Sequence, residues 1–316
     1  MKPFAFVFPG QGSQAVGMLD AWGDHPAVRQ TLLEASDALG EDVAKLIHEG
    51  PKEALALTTN TQPVMLVAGV AAWRAWQAEG GAQPSAVAGH SLGEYSALVA
   101  AGALTLAQAA PLVRFRAQAM QEAVPVGVGA MAAILGMEAA KVVEGCAQVT
   151  ATFGAGSAEV VQAVNFNDPA QTVIAGSKAA VDKACEVLKG LGAKRALPLP
   201  VSAPFHSSLM KPAADRLRER LADTAIAAPA IPVVNNIDVA VESDPARIRD
   251  ALYRQAFGPV RWVECVRAIQ ARGIDTLVEC GPGKVLAGMA KRIDAQLTGT
   301  ALFDPATLAE VKGLLA

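Results

Sequence analysis

Gly89-His90-Ser91-Leu92-Gly93 decides how this chain is read. The short apolar run Ala86-Val87-Ala88 enters it, and good helix formers leave it: Leu92, Glu94, Ala97, Leu98, Ala100 and Ala101. Strand, Gly-x-Ser-x-Gly, helix is the layout of a nucleophile elbow, whose sharp turn lifts the serine hydroxyl to its tip. The two glycines let the chain turn without Cβ clashes. The next helix aims its free N–H groups and positive end at Ser91, where they would stabilise an oxyanion. The pentapeptide alone is weak, since composition places it by chance in roughly one such chain in ten. The segments around it raise its weight.

Upstream, 4–8 reads as a buried strand that ends in the tight polar loop Pro9-Gly10-Gln11-Gly12-Ser13. Helical patterns follow over 27–39 and 61–78, the second with a cap signal in Asn60-Thr61 and Pro63 in its first turn. Another periodic pattern covers 105–123. The order then changes to strand 130–135, helix 138–147, strands 160–165 and 171–175, helix 178–188 and strand 193–198. That β-α-β-β-α-β order is the split βαβ of a ferredoxin-like unit. It predicts a small domain over 126–198 inserted into a larger one formed by 1–125 and 199–316. The larger part resumes with a helix over 207–222, a strand at 233–234, helices over 245–255 and 259–271, and a strand over 275–279 that runs into Gly281-Pro282-Gly283. Alternating strands and helices predict an α/β fold with a mainly parallel sheet covered on both faces.

A serine nucleophile needs a base. His90 adjoins Ser91, but the side chain before an elbow serine points away from it and is expected to brace the turn. His206 lies in Ser202-Ala203-Pro204-Phe205-His206-Ser207, where Pro204 holds the loop extended ahead of a helix. A lone histidine is more often a satisfied structural residue. Here the order Ser then His in a Pro-fixed loop favours His206 as general base. A Gly-rich loop after a strand is commonly just a turn, but the N–H of Gln11 is also placed to complete an oxyanion hole with that of Leu92. Arg116 sits among Leu112, Val113, Phe115, Ala117, Ala119 and Met120. Most arginines on such a helix snorkel to solvent. A buried one needs an anion, no local carboxylate offers itself, and a substrate carboxylate would fit its planar fork.

Composition narrows the class. The 316 residues, 52% of them hydrophobic, suffice for a large core. A formal net charge of −3 gives no sign of nucleic-acid binding. The longest apolar run, 64–73, falls short of a membrane span, and the apolar 4–8 is too short for a signal-peptide core. Cys146, Cys185, Cys265 and Cys280 lie far apart with no Cys-x-x-Cys, which suits reduced thiols in a cytoplasmic protein. His25, His48, His90 and His206 show no metal-ligand spacing, so no metal is expected.

Taken together, Phe-Pro-Gly-Gln-Gly-Ser-Gln (8–14), Gly-His-Ser-Leu-Gly-Glu-Tyr (89–95), Arg116 and Ala-Pro-Phe-His-Ser (203–207) resemble the malonyl-CoA:acyl carrier protein transacylase family of bacterial fatty-acid synthesis. Asn165-Phe166-Asn167, Val173-Ile174-Ala175-Gly176, Gln255 with Gly258-Pro259-Val260, and Glu279-Cys280-Gly281-Pro282-Gly283 extend the likeness over 4–292. The resemblance implies an α/β-hydrolase-like large domain plus a ferredoxin-like small one. It implies a Ser91/His206 dyad, with the backbone carbonyl of Gln255 setting the His206 tautomer in place of an aspartate. It implies an oxyanion hole at Gln11 and Leu92, and a grip on the malonyl carboxylate by Arg116. It also implies that Phe205 crowds α-branched acyl groups and that Asn165 lies near the cleft. Malonyl-CoA and acyl carrier protein are the implied partners, a monomer is expected, and no cofactor is implied. Lys194, Arg195, Lys284, Lys291 and Arg292 are candidates for docking an acidic carrier. Asp168-Pro169-Ala170 and the stretch 150–158 depart from the family pattern, away from these motifs.

Two other classes fit parts of the chain. A serine esterase or thioesterase would share the elbow, but Arg116 and the missing acidic triad member speak against it. A non-catalytic docking subunit of a synthase would not need Ser91, His206 and Arg116 together. Within the family, a polyketide or malonate decarboxylase system would use the same residues.

Overall fold

β1 (Phe4–Phe8) is buried along its whole length. Its alternation separates two cores: Phe4, Phe6 and Phe8 enter one, while Ala5 and Val7 enter another across the sheet. A strand buried on both faces belongs at the middle of a parallel sheet covered by helices. In this computed structural model, which describes residues 2–154 and 156–316, that is where it lies.

After β1 come α1 (Pro26–Leu39), α2 (Val43–Glu49), α3 (Lys52–Ala56), α4 (Thr58–Ala78), β2 (Ala86–Gly89), α5 (Gly93–Ala100) and α6 (Leu106–Ala123). Then come β3 (Gly129–Leu135), α7 (Ala139–Thr152), β4 (Val161–Asp168), β5 (Gln171–Ser177), α8 (Lys178–Gly190) and β6 (Arg195–Pro198). The chain closes with α9 (Lys211–Ala222), β7 (Val233–Val234), α10 (Pro245–Gln255), α11 (Trp262–Gln270), β8 (Thr276–Cys280), α12 (Val285–Ile293), β9 (Thr298–Leu302) and α13 (Pro305–Leu315).

The larger sheet is five-stranded in the order β7-β2-β1-β8-β9, and its pairings are parallel. The other sheet is four-stranded and antiparallel in the order β4-β5-β3-β6. Its first strand β3 sits between β5 and β6, as a split βαβ unit requires, and α7 and α8 pack together over its apolar core. The mixed α/β class read from the sequence therefore holds, with a second, smaller sheet beside the parallel one. Among the described residues no helix is long and apolar enough to cross a membrane.

Several boundaries differ from the sequence reading. α4 starts at Thr58, so Asn60 and Thr61 lie inside its first turn rather than capping it. Their side chains bond back to the Ala54 and Leu55 carbonyls and tie α3 to α4. The helix expected over 259–271 begins only at Trp262, because 256–261 is spent on the loop that reaches the small sheet. The short helices α2 and α3 and the terminal β9 and α13 were not anticipated. Met1 and Ala155, the latter within the atypical 150–158 stretch, lie outside the described residues.

Candidate active site

Ser91 stands at the C-terminal end of β2, next to the central strand. Crevices at the carboxyl ends of parallel strands are where open α/β sheets bind ligands. The flanking glycines are needed for close approach. A Cβ on Gly89 would strike the Gly93 carbonyl group, and one on Gly93 would strike the Phe8 carbonyl oxygen. Ser91 itself has φ 53, a left-handed conformation that costs a non-glycine residue. Asn236 holds it there. Its Oδ1 accepts from the Ser91 N–H at 2.8 Å, and its Nδ2 donates to the Gly89 carbonyl at 2.8 Å.

The structure brings the predicted residues to one place. Ser91 Oγ is 2.6 Å from His206 Nε2. The other ring nitrogen, Nδ1, is 2.9 Å from the Gln255 carbonyl oxygen and 3.2 Å from that of Gly258. Carbonyls only accept, so Nδ1 carries the proton and Nε2 is left free to accept from Ser91. His206 is at φ 65 and buried. Burial, with the Arg116 cation adding to it, pulls its pKa down to about 3, so the ring is neutral at physiological pH.

Arg116 is 2% exposed. Its Nη1 donates to Gln62 Oε1 at 2.5 Å, and its Nη2 donates to Gln255 Oε1 at 3.1 Å and to Ser91 Oγ at 3.3 Å. The guanidinium lies over the Tyr95 ring, 5.6 Å from its centroid. No carboxylate bonds it directly among the described residues, and its Nε is buried without a partner. The N–H groups of Gln11 and Leu92 have no backbone acceptor among the described residues. The Gln11 side chain is occupied elsewhere, on Thr58 Oγ1 at 3.1 Å.

These groups line a cavity of about 120 Å³ with Gln62, His90, Met120, Met131, Asn165, Leu199, Val201 and Phe205. Asn165 Oδ1 is buried there without a partner. A larger cavity of about 690 Å³ along α1 and α2 is bordered by Ser36 and His48, but these bond to the Val43 N–H and to Asp20 rather than to each other. His90 does brace the turn: its Nε2 is 2.8 Å from Asn167 Oδ1, and its ring packs on Trp262.

Sequence reasoning missed Gln62, Asn236 and the part played by Glu94. Gln62 carried the same signal as Arg116, a long polar side chain on an apolar helix. Asn236 follows β7 at the sheet's carboxyl edge, a position that marks site residues in this architecture. Glu94 stands in the sequence as a helix former and as part of the 89–95 motif, neither of which marks its bonds to Asn236 and Gln255.

A family model described as the acyl transferase domain matches residues 5–300. Malonyl CoA-acyl carrier protein transacylase of Salmonella typhimurium is 53% identical over 309 residues, 98% of each chain. The acyl-carrier-protein S-malonyltransferase structure from Burkholderia pseudomallei is 66% identical with a TM-score of 0.95, covering 99% of this chain and 100% of that one. A malonyl-transacylase solved in complex with a type II polyketide acyl carrier protein is 49% identical with a TM-score of 0.95, covering 99% of this chain and 100% of that one. An elbow serine with its histidine, a buried arginine beside them and these near-full-length likenesses lead to one assignment: the chain belongs to the acyl transferase family, among the malonyl CoA-acyl carrier protein transacylases.

Proposed function

We propose that the chain moves a malonyl group from malonyl-CoA to the phosphopantetheine thiol of acyl carrier protein through a malonyl-Ser91 ester, supplying fatty-acid elongation. One observation carries this reading: the buried guanidinium of Arg116 lies within 3.3 Å of the Ser91 hydroxyl oxygen. A fixed cation beside a nucleophile selects an acyl group with its own carboxylate. The names of the relatives and the carrier-bound structure support the same substrates.

In the first half-reaction the malonyl carboxylate pairs with Arg116, which sets the thioester carbon over Ser91. Ser91 Oγ attacks, and its proton passes to His206 Nε2. The oxyanion is held by the N–H groups of Gln11 and Leu92. The carbon–sulfur bond breaks, and the proton on His206 leaves with the CoA sulfur. In the second half-reaction the phosphopantetheine thiol gives its proton to His206 and attacks the ester. The carbon–oxygen bond breaks and Ser91 regains its proton. Neither step needs a metal or a redox cofactor.

The substrate also strengthens its own base. Arg116 depresses His206 by like charge, and a malonyl carboxylate on Arg116 relieves that depression when catalysis begins. Met120, Met131, Leu199, Val201 and Phe205 around the serine present apolar surface that disfavours water beside the ester. We place the carrier at the mouth between a small domain, 126–198, and the remainder. The cytoplasm is the proposed setting and a monomer the proposed form.

The test is intact-mass spectrometry after mixing with malonyl-CoA. One malonyl adduct is expected on the native chain and none on Ser91→Ala. An adduct that persists in Ser91→Ala would refute the assignment.

A further inference from the structure

Glu94 is a carboxylate in the core, 2% exposed, and the scheme above gives it no task. Its Oε2 accepts from the Asn236 N–H at 2.9 Å and from Gln255 Nε2 at 3.0 Å. The same Gln255 Nε2 donates to the Ser91 carbonyl oxygen at 2.9 Å, and Gln255 Oε1 accepts from Arg116 Nη2 at 3.1 Å. The Gln255 main-chain oxygen holds His206 Nδ1 at 2.9 Å. One glutamine therefore touches the elbow, the guanidinium and the base.

An amide has a donor end and an acceptor end. Turned over, the Gln255 amide would point NH₂ at a guanidinium that can only donate, and oxygen at the Ser91 carbonyl and Glu94. A carboxylate only accepts, so charged Glu94 forbids that flip. Arg116 meanwhile is a buried cation whose direct partners are neutral, and such a cation needs a nearby anion. Glu94 is reached from it across a single amide.

We propose that Glu94 is a positioning residue for the acyl site, which through the Gln255 amide orients Arg116 and balances its charge while no anionic acyl group is bound. The proposal rests on the malonyl reading of the site. Once a malonyl carboxylate reaches Arg116, two anions share one cation, and Glu94 takes up a proton. The groups facing Glu94 are Arg116 from α6, Asp238 and Glu242 from the segment after β7, Cys265 from α11, and Tyr95 on its own helix. Burial, reinforced by Asp238, outweighs the hydrogen bonds and Arg116, and lifts the carboxyl to about 7. Uptake is therefore available near neutrality, and lower pH favours malonyl loading.

The experiment measures the equilibrium occupancy of Ser91 by malonyl and by acetyl groups from their CoA thioesters, between pH 5.5 and 8.5 on the order of the carboxyl's range. Their ratio cancels the ionisation of free CoA. In the native chain the malonyl-to-acetyl ratio should fall as pH rises through neutrality. Glu94→Gln keeps an acceptor oxygen and loses the charge. Its ratio should be flat with pH and, at the alkaline end, about 3- to 30-fold above native. Glu94→Leu frees the amide to turn and should lower malonyl loading at every pH, while a thermal melt reports its fold. A Glu94→Gln chain that keeps the native pH dependence, or shifts both acyl groups equally, would overturn the proposal. Failure of the native chain to load malonyl at all would instead overturn the functional reading.

Discussion

Ser91 at φ 53 and His206 at φ 65 are both held where side-chain-bearing residues rarely go. Each costs about 1–3 kcal/mol, which the surrounding bonds must offset. The result is a nucleophile and a base aimed before substrate arrives. His206 also has a pH signature. An unfolded histidine takes up a proton below about 6.5, whereas the native ring waits until about 3. Stability therefore falls as pH drops through that window, by up to about 1.4 kcal/mol per unit. Glu94 and Glu279, both raised to about 7 by burial, act the other way. They stabilise the native state on acidification only down to the ordinary carboxylate range, below which His206 acts together with the buried His90 and with Asp215, Asp238 and Glu264, all of them lowered. Urea midpoints of His206→Asn should be flatter with pH there than those of the native chain; parallel curves would contradict the buried neutral ring. Arg116→Ala removes a charge-assisted contact and should slow malonyl transfer by about 30- to 1000-fold, or 2–4 kcal/mol. Acetyl transfer should gain relative to malonyl, and Arg116→Lys should rescue only in part for lack of the planar fork. An unchanged acyl preference would remove Arg116 from its role. Phe205 borders the same cavity, so Phe205→Ser should admit methylmalonyl, with an effect of about 1–3 kcal/mol at most.

At the scale of elements, the elbow was legible because its glycines are enforced by backbone contact with Gly93 and Phe8, which leaves a pattern in sequence. The helix α6 was legible from its period, and its start is closed by a capping box between Thr105 and Gln108. The start of α4 was not, because Asn60 and Thr61 look like caps while bonding to carbonyls of the preceding turn. What braces the elbow was also hidden. Asn236 is 145 positions from Ser91, and nothing local marks a hydrogen bond of that span. Its removal gives a sharp test. Asn236→Ala leaves the Ser91 N–H and the Gly89 carbonyl without their partner in a buried site, at about 1–3 kcal/mol each. Thermal melts should show that loss, and Ser91 should load malonyl more slowly because its left-handed backbone is no longer pinned. Native loading kinetics in Asn236→Ala would show that the elbow holds itself.

At the scale of the whole molecule, hydrogen bonds tie the small sheet to the rest beside the site, the Ser208 N–H to Gln162 Oε1 at 2.7 Å among them. Val260 lies in the loop beyond Gly258, whose carbonyl contacts His206, and it pairs with β4 through Phe166 N–H at 2.9 Å and Val164 oxygen at 2.8 Å. His90 meets Asn167, and Arg292 of α12 donates to Asp168 Oδ2 at 2.7 Å. The last link includes a residue that departs from the family pattern, so a position read as incidental helps seat the small sheet. It also divides the basic residues near the mouth. Arg292 is committed to a 5% exposed Asp168, and reversing its charge would set two carboxylates together in a buried place. Lys284 and Lys291 are exposed, with the Lys284 ammonium 5.1 Å from the Phe303 ring centroid. An acidic carrier would be steered by such charges more than bound by them, and salt would weaken the steering. The chain with Lys284→Glu and Lys291→Glu together should load malonyl from CoA at the native rate. Transfer from Ser91 to carrier protein should slow by about 3- to 30-fold at low salt, as two steering charges are reversed, and lose most of its salt dependence. Equal slowing of both half-reactions would point to the CoA phosphates as the partner of these lysines, and no slowing would move the docking surface to Lys194 and Arg195 at the start of β6.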